Sequence, residues 1–284
     1  MDDNSHNWTD KVSGPHAADS GRPVGWNMPD RDVAAISTSN LAVAYATGLM
    51  NICAGLAVNP ASGQVAVVGM DATNEIRFEP NLRGRFVHVQ VALVNPLTMA
   101  KSIKDLNPHL LPYSAQQLPQ SERDKSIGDP RGIAWNAAGT KAYIAGLGSN
   151  NIIVIDAAGD RAGLAQTIPV GEGPTGVAVD DARGRVYVLN RFAASIGVID
   201  AGTESVVATV PFYDPTPTPI RVGRKELYDT HKTSGLGQAA CASCHVDSRM
   251  DRLGWDLGDP AGAMKALTGQ NLGAGINGLS AGTT

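Results

Sequence analysis

Short runs of Val, Ile and Ala alternate with turns of Gly, Asn and Asp from Val33 to about Val210. Apolar runs of about four to six residues bounded by turn residues are typical of β-strands, because helices need longer periodic segments. Residues 1–30 are polar and show no period, which predicts an irregular leader. The pattern therefore predicts a mainly β chain whose strands begin at about residue 31.

Internal repeats show how these strands are grouped. Residues 129–156 align without a gap with residues 173–200, at an offset of 44. An earlier copy fits at an offset of 77, with Gly55 on Gly132, and residues 33–37 resemble the second half of the unit. A repeat of about 40–45 residues with four short strands is the pattern of a β-propeller blade. About three and a half blades are visible.

The two offsets differ by 33 residues, and we place this excess in an insertion loop at about 95–128, which is rich in Pro, Ser and Gln. The alignment at the offset of 77 also pairs Asn74 with Asn151. A two-sheet β-sandwich is the alternative fold, but a gap-free repeat argues for a partial β-propeller over residues 31–212. Since closed propellers have about four to eight blades, we expect the sequence to be an N-terminally incomplete piece of a longer protein.

A Pro-rich stretch at residues 213–220 predicts a stiff linker, because it cannot form a central strand. The pattern after it is helical. It leads into Cys241-Ala242-Ser243-Cys244-His245, the Cys-x-x-Cys-His form that attaches c-type haem. On a helical turn the two thiols and the imidazole project from one side and can face one ligand. We therefore expect covalent haem c on Cys241 and Cys244, with His245 as the proximal iron ligand.

Other interpretations of these cysteines fit less well. A structural zinc ion needs four ligands, and a His adjacent to Cys244 is poorly placed to share a tetrahedral ion with it. A thioredoxin-like dithiol needs a βαβ context, which this segment lacks. The third cysteine, Cys53, is predicted to be a small buried residue in a strand.

Two resemblances follow from these residues. The repeats resemble the YVTN-type propeller family in Tyr187-Val188-Leu189-Asn190, in Pro174-x-Gly176-Val177-Ala178-Val179 and in Val198-Ile199-Asp200. The haem segment resembles the N-terminal haem region of the bacterial di-haem cytochrome c peroxidase superfamily, which includes the enzymes that mature tryptophan-derived quinone cofactors. The positions that match are Gly223, Leu227, Tyr228, Asp229, Ser234, Gly237, Cys241, Ser243, Cys244 and His245.

The resemblance implies a small, mostly α c-type cytochrome domain over residues 221–284, as in propeller proteins that carry such a domain at their C-terminus. Residues 251–260 look like the continuation of that family. The chain departs from the superfamily because it has no second Cys-x-x-Cys-His motif. We therefore expect this domain to be incomplete.

The sixth iron ligand separates electron transfer from peroxide chemistry, because a Met ligand favours the former and an open site the latter. The segment between His245 and Met264 is long enough to pass round the haem edge, so we name Met264 as the candidate sixth ligand. His231 and Met250 are alternatives, and a ligand outside this sequence is a further one.

The remaining properties exclude some partners. A net charge of −4 gives no electrostatic footprint for nucleic acid. No run approaches the ~20 apolar residues of a membrane span. Haem c is attached outside the cytoplasm, which predicts a periplasmic or otherwise extracytoplasmic protein, although the polar, acidic start at Met1 lacks a secretory signal pattern.

The sequence thus predicts a periplasmic c-type haem protein for electron transfer, with an electron donor or acceptor protein as its partner. A peroxidase-like oxidoreductase is the more specific form that the resemblance implies. The alternative is a propeller that binds or docks a partner and in which the haem is a sensor or a structural element. The oligomeric state stays open.

Overall fold

The computed structural model describes residues 31–72, 87–115, 117–163 and 166–246. The leader, Met250, Met264 and the rest of the segment after residue 246 lie outside the described residues. Within the described ranges the chain is mainly β, with four antiparallel sheets and a few short helices. This architecture is consistent with a partial β-propeller.

Three of the sheets have four strands, and each strand pairs with the next one in the chain. We call them the first, second and third sheets. The first contains β3 (Ile52–Val58), β4 (Val65–Ala72), β5 (Val87–Val94) and β6 (Lys101–Asp105). The second contains β7 (Pro130–Trp135), β8 (Lys141–Gly146), β9 (Asn151–Asp156) and β10 (Ile168–Pro169). The third contains β11 (Pro174–Asp180), β12 (Arg185–Asn190), β13 (Ser195–Asp200) and β14 (Ser205–Pro211).

The fourth sheet is half a unit, formed by β1 (Val33–Ile36) and β2 (Val43–Ala46). The helices are short: α1 (Gln120–Arg123), α2 (Thr218–Tyr228), α3 (Thr230–Thr233) and α4 (Cys241–Cys244), with a 3₁₀ turn at Pro108–Leu110. None of the helices in the described ranges has the length and apolar character that crossing a membrane requires.

The strands repeat at the offset of 44 that the alignment gave, and they share an irregularity. The register shifts between Cys53 and Gly55 in β3, and between Pro130 and Gly132 in β7. It shifts again in β11, next to Gly176. These first strands pack side by side, β3 on β7 and β7 on β11.

Close backbone approach explains the glycine at this position of the repeat. A Cβ on Gly55 would clash with the carbonyl oxygen of Arg131, and one on Gly132 would lie 2.5 Å from the carbonyl oxygen of Thr175. Both distances are shorter than side chains tolerate, so only glycine fits. A Cβ on Gly176 would meet nothing closer than the Leu189 side chain at 3.5 Å, because no described strand lies beyond β11.

The structure distributes the excess residues differently from the alignment. Strand β4 ends at Ala72 and β5 begins at Val87, whereas four residues separate the corresponding strands of the other two sheets. The proposed match of Asn74 lies outside the described residues. Strand β6 lies inside the range predicted as a loop, so the segment between the first and second sheets is residues 106–129, which we call the insertion.

Two further details differ from the sequence-based expectations. Helix α2 begins at Thr218, inside the stretch predicted as a Pro-rich linker, because Pro is well tolerated in the first turn of a helix. Cys53 lies in a strand as expected but is exposed, not buried. Its exposure follows from its place beside the register shift near the beginning of β3, where strand alternation is interrupted.

The glycine contacts predict a contrast between two equivalent positions. Gly132→Ala should lower the free energy of unfolding by about 1–3 kcal/mol, because β7 and β11 must move apart. Gly176→Ala is the matched control and should change it by no more than about 0.5 kcal/mol. Urea unfolding of both variants measures the difference, and equal effects would contradict the assigned packing.

Candidate haem-attachment site

The predicted haem motif forms one short helical turn. Helix α4 spans Cys241–Cys244, and the backbone N–H of His245 donates to the carbonyl oxygen of Cys241 at 3.0 Å. Cys241 is exposed, whereas Cys244 and His245 are half-buried. The structure therefore brings the three predicted residues together, with the thiols one turn apart and projecting from the same side of the helix.

Ser243 fixes the buried side of this turn and is 3 % exposed. Its hydroxyl oxygen accepts the backbone N–H of Ala240 at 2.9 Å. The hydroxyl group donates to Oδ1 of Asp129, at 2.7 Å. The motif is thereby joined to the residue that immediately precedes β7.

Asp129 is a buried carboxylate, 1 % exposed, with a φ of 46°. Its Oδ2 is buried and has no hydrogen-bond partner among the described residues. Burial raises the pKa of Asp129 to about 6, against the opposing effects of the Ser243 hydrogen bond and the charge of Arg131. The carboxylate is therefore charged at neutral pH, and the burial of this charge destabilises the folded state.

Thr230 holds the beginning of helix α3 against the second sheet. It is fully buried, and its backbone N–H donates to the carbonyl oxygen of Gly148 at 2.9 Å. A Cβ on Gly128 or on Gly148 would lie 2.5 or 2.6 Å from Cγ2 of Thr230. The two glycines therefore provide the space that this threonine occupies.

Ser126, in the insertion, contacts the same segment through both its backbone and its side chain. Its hydroxyl group donates to the carbonyl oxygen of Leu236 at 2.7 Å and lies 3.1 Å from Nε2 of His109. Because the hydroxyl proton is used toward Leu236, His109 Nε2–H is the donor in the second bond. Burial is the larger cause, and the charge of Arg161 the next, of a pKa for His109 that is lowered to about 4. The ring is therefore neutral at neutral pH.

The position of His231 bears on the sixth iron ligand. Its Nε2 lies 3.0 Å from the carbonyl oxygen of Ser126, which can only accept a hydrogen bond. Nε2 therefore carries the proton and cannot bind iron in this arrangement, while Nδ1 lies 3.7 Å from Oδ1 of Asp124. In this arrangement Nε2 of His231 is not available to iron, and the His231 alternative stays a prediction. Met264 and Met250 lie outside the described residues, and both stay predictions.

Apolar contacts complete the docking of the segment on the insertion. Leu236 is 1 % exposed and packs in one cluster with Leu110 and Tyr113. The N–H of Leu118 donates to the carbonyl oxygen of Gly235 at 2.8 Å. Residues 230–246 are thus held by the insertion and by the second sheet together.

The donor set fits haem better than a bare metal ion. In the described part of the chain, no three His, Cys, Asp or Glu side chains converge as metal ligands. Two thiols one turn apart with a following imidazole suit two thioether bonds and one axial ligand. The partners Asp129, Ser126 and Thr230 carried no signal in the sequence, because each acts on residues about a hundred positions away.

Comparisons with known proteins leave the family open. No family model matches the chain, and no curated protein matches it. Hydrazine synthase of Kuenenia stuttgartiensis is similar at 16% identity, over 59% of this chain and 38% of that one, with a TM-score of 0.39. A nidogen–laminin complex is similar at 14% identity, over 64% and 56%, with a TM-score of 0.43. AztD of Citrobacter koseri is similar at 12% identity, over 64% and 42%, with a TM-score of 0.40. The chain spans less than two thirds of each.

The buried carboxylate predicts a pH-dependent stability difference. A raised pKa means that the folded state holds the proton more firmly, so stability falls as pH rises from about 4 to about 6. Asp129→Asn cannot ionise. It should match the wild type below about pH 4 and exceed its free energy of unfolding by roughly 3 kcal/mol above pH 6. Urea unfolding across this range measures the difference, and a constant difference would contradict the assignment.

Proposed function

We propose that the chain is an extracytoplasmic c-type haem protein that transfers electrons. Haem c is attached through Cys241 and Cys244, and His245 is the proximal iron ligand. The observation that supports this most is that both thiols and the imidazole lie on one turn whose opposite side is buried. We further propose that the sheets are blades of a β-propeller and that residues 221–284 belong to a c-type cytochrome domain.

The residues of the turn have two different roles. Ala242 and Ser243 are buried and hold the backbone, while Cys241 is exposed and accessible for thioether formation. When bound, haem supplies reversible one-electron chemistry, and the protein tunes it through the axial ligands, hydrogen bonding and burial. The His245 backbone is tied to Cys241, which keeps the imidazole next to the thiols.

We propose electron transfer because the sixth ligand that we propose is a Met, which favours it over peroxide chemistry, and not His231. Its proton-bearing Nε2 faces a carbonyl oxygen, so it supplies neither an axial ligand nor a base at that nitrogen. Met264 remains the proposed sixth ligand. The peroxidase-like oxidoreductase implied by the sequence resemblance is the more specific form, and an electron donor or acceptor protein is the proposed partner.

Haem attachment tests this proposal directly. The whole chain, exported together with a c-type haem attachment system, should keep its haem on a denaturing gel and give the pyridine haemochrome spectrum of two thioethers. Cys241→Ala and Cys244→Ala should each lose one thioether or the haem, whereas Cys53→Ala is the matched control and should keep both. A wild-type chain that binds no covalent haem would contradict the proposal.

Axial ligation predicts which side chain changes the spectrum. The ferric protein should be six-coordinate, should reduce reversibly, and should not respond to peroxide. Met264→Ala should convert it to a five-coordinate spectrum, while His231→Gln should leave the spectrum unchanged because His231 is bound to Ser126. A peroxide-responsive spectrum in the wild type would support the peroxidase-like form instead.

A further inference from the structure

We infer that Asp129 is a positioning residue of the haem site, because through Ser243 it fixes the turn that carries both thiols and the proximal histidine. Independently of this positioning, its buried negative charge lowers the redox potential of the haem. This inference rests on the proposed function and adds a residue that lies outside the motif, at the start of a strand of the second sheet.

The turn needs an external support. Helix α4 has four residues, and an isolated helical turn is unstable because nucleation fixes several dihedral angles for one hydrogen bond. Ser243 stabilises the turn internally by accepting the N–H of its N-cap residue, Ala240, and links the turn to its surroundings by donating to Asp129. A short hydroxyl–carboxylate bond is of the stronger, charge-assisted kind.

Asp129 is itself held rigidly. Its carbonyl oxygen accepts the N–H of Leu147 at 3.0 Å, and Pro130 follows it as the first residue of β7. Its φ of 46° lies in the left-handed region, which Asp tolerates better than most residues. The strand that follows is locked between its neighbours at Arg131 and Gly132. The acceptor is therefore fixed before the turn docks on it.

The hydrogen bond from Ser243 does not by itself require a negative charge on Asp129. An uncharged Asn could accept from Ser243 without the cost of a buried charge with one unpartnered oxygen. A carboxylate that is poorly screened by water favours the more positive state of a nearby redox centre. For haem this is the ferric state, so Asp129 lowers the potential.

A first experiment needs no haem. In the reduced, haem-free chain, the alkylation rates of Cys244 and Cys241 are compared by peptide mass spectrometry. Asp129→Ala and Ser243→Ala should each raise the ratio of Cys244 to Cys241 labelling by about tenfold, the effect of losing one hydrogen bond. The double variant should add nothing further, because both act through one bond. Ser195→Ala, a buried serine of the third sheet, is the control and should not change the ratio.

A second experiment isolates the charge. Asp129→Asn keeps an acceptor for Ser243, so it should leave the labelling ratio as in the wild type and shift the haem midpoint potential to a more positive value at pH 7.5. An unchanged ratio in Asp129→Ala overturns the positioning role, and an unchanged potential in Asp129→Asn overturns the electrostatic role. A wild-type chain that attaches no haem overturns the proposed function alone, since the labelling result still decides the positioning role.

Discussion

Strand β7 is the element on which the other described parts depend, because backbone contacts fix it on both sides. The carbonyl oxygen of Arg131 fills the space beside Gly55, and Gly132 lies against the carbonyl oxygen of Thr175. No side chain can enter either contact, so the distance between neighbouring first strands is set by backbone atoms alone. The first and third sheets consequently pack against β7 with little freedom to adjust.

The residues just before β7 connect this rigid strand to the segment that contains the haem motif. Ser126, Gly128 and Asp129 each contact the segment of residues 230–246, through a hydroxyl group, a space for Thr230 and a carboxylate respectively. A site of this kind is more precisely held than one on an isolated loop, because its supporting groups are themselves fixed. The motif and the second sheet therefore form one junction.

The sequence predicted the repeated part of the fold well and the junction poorly, for different physical reasons. The 44-residue offset located β7 to β9 and β11 to β13, since strand and turn signals are local. The excess between the first two copies was misplaced because an offset gives only the total inserted length. The Cys-x-x-Cys-His spacing identified the motif, but the Asp129–Ser243 bond joins residues 114 positions apart and leaves no local pattern.

The ionisable groups of the junction act in opposite directions on stability. Asp129 has a raised pKa, so its contribution to the free energy of unfolding falls as pH rises from about 4 to about 6. His109 has a lowered pKa, so the folded state resists its protonation and its contribution increases as pH rises from about 4 to about 6.5. Because the two ranges overlap, the effects partly cancel. The free energy of unfolding can thus change little in mild acid, although a buried carboxylate lies beside the haem motif.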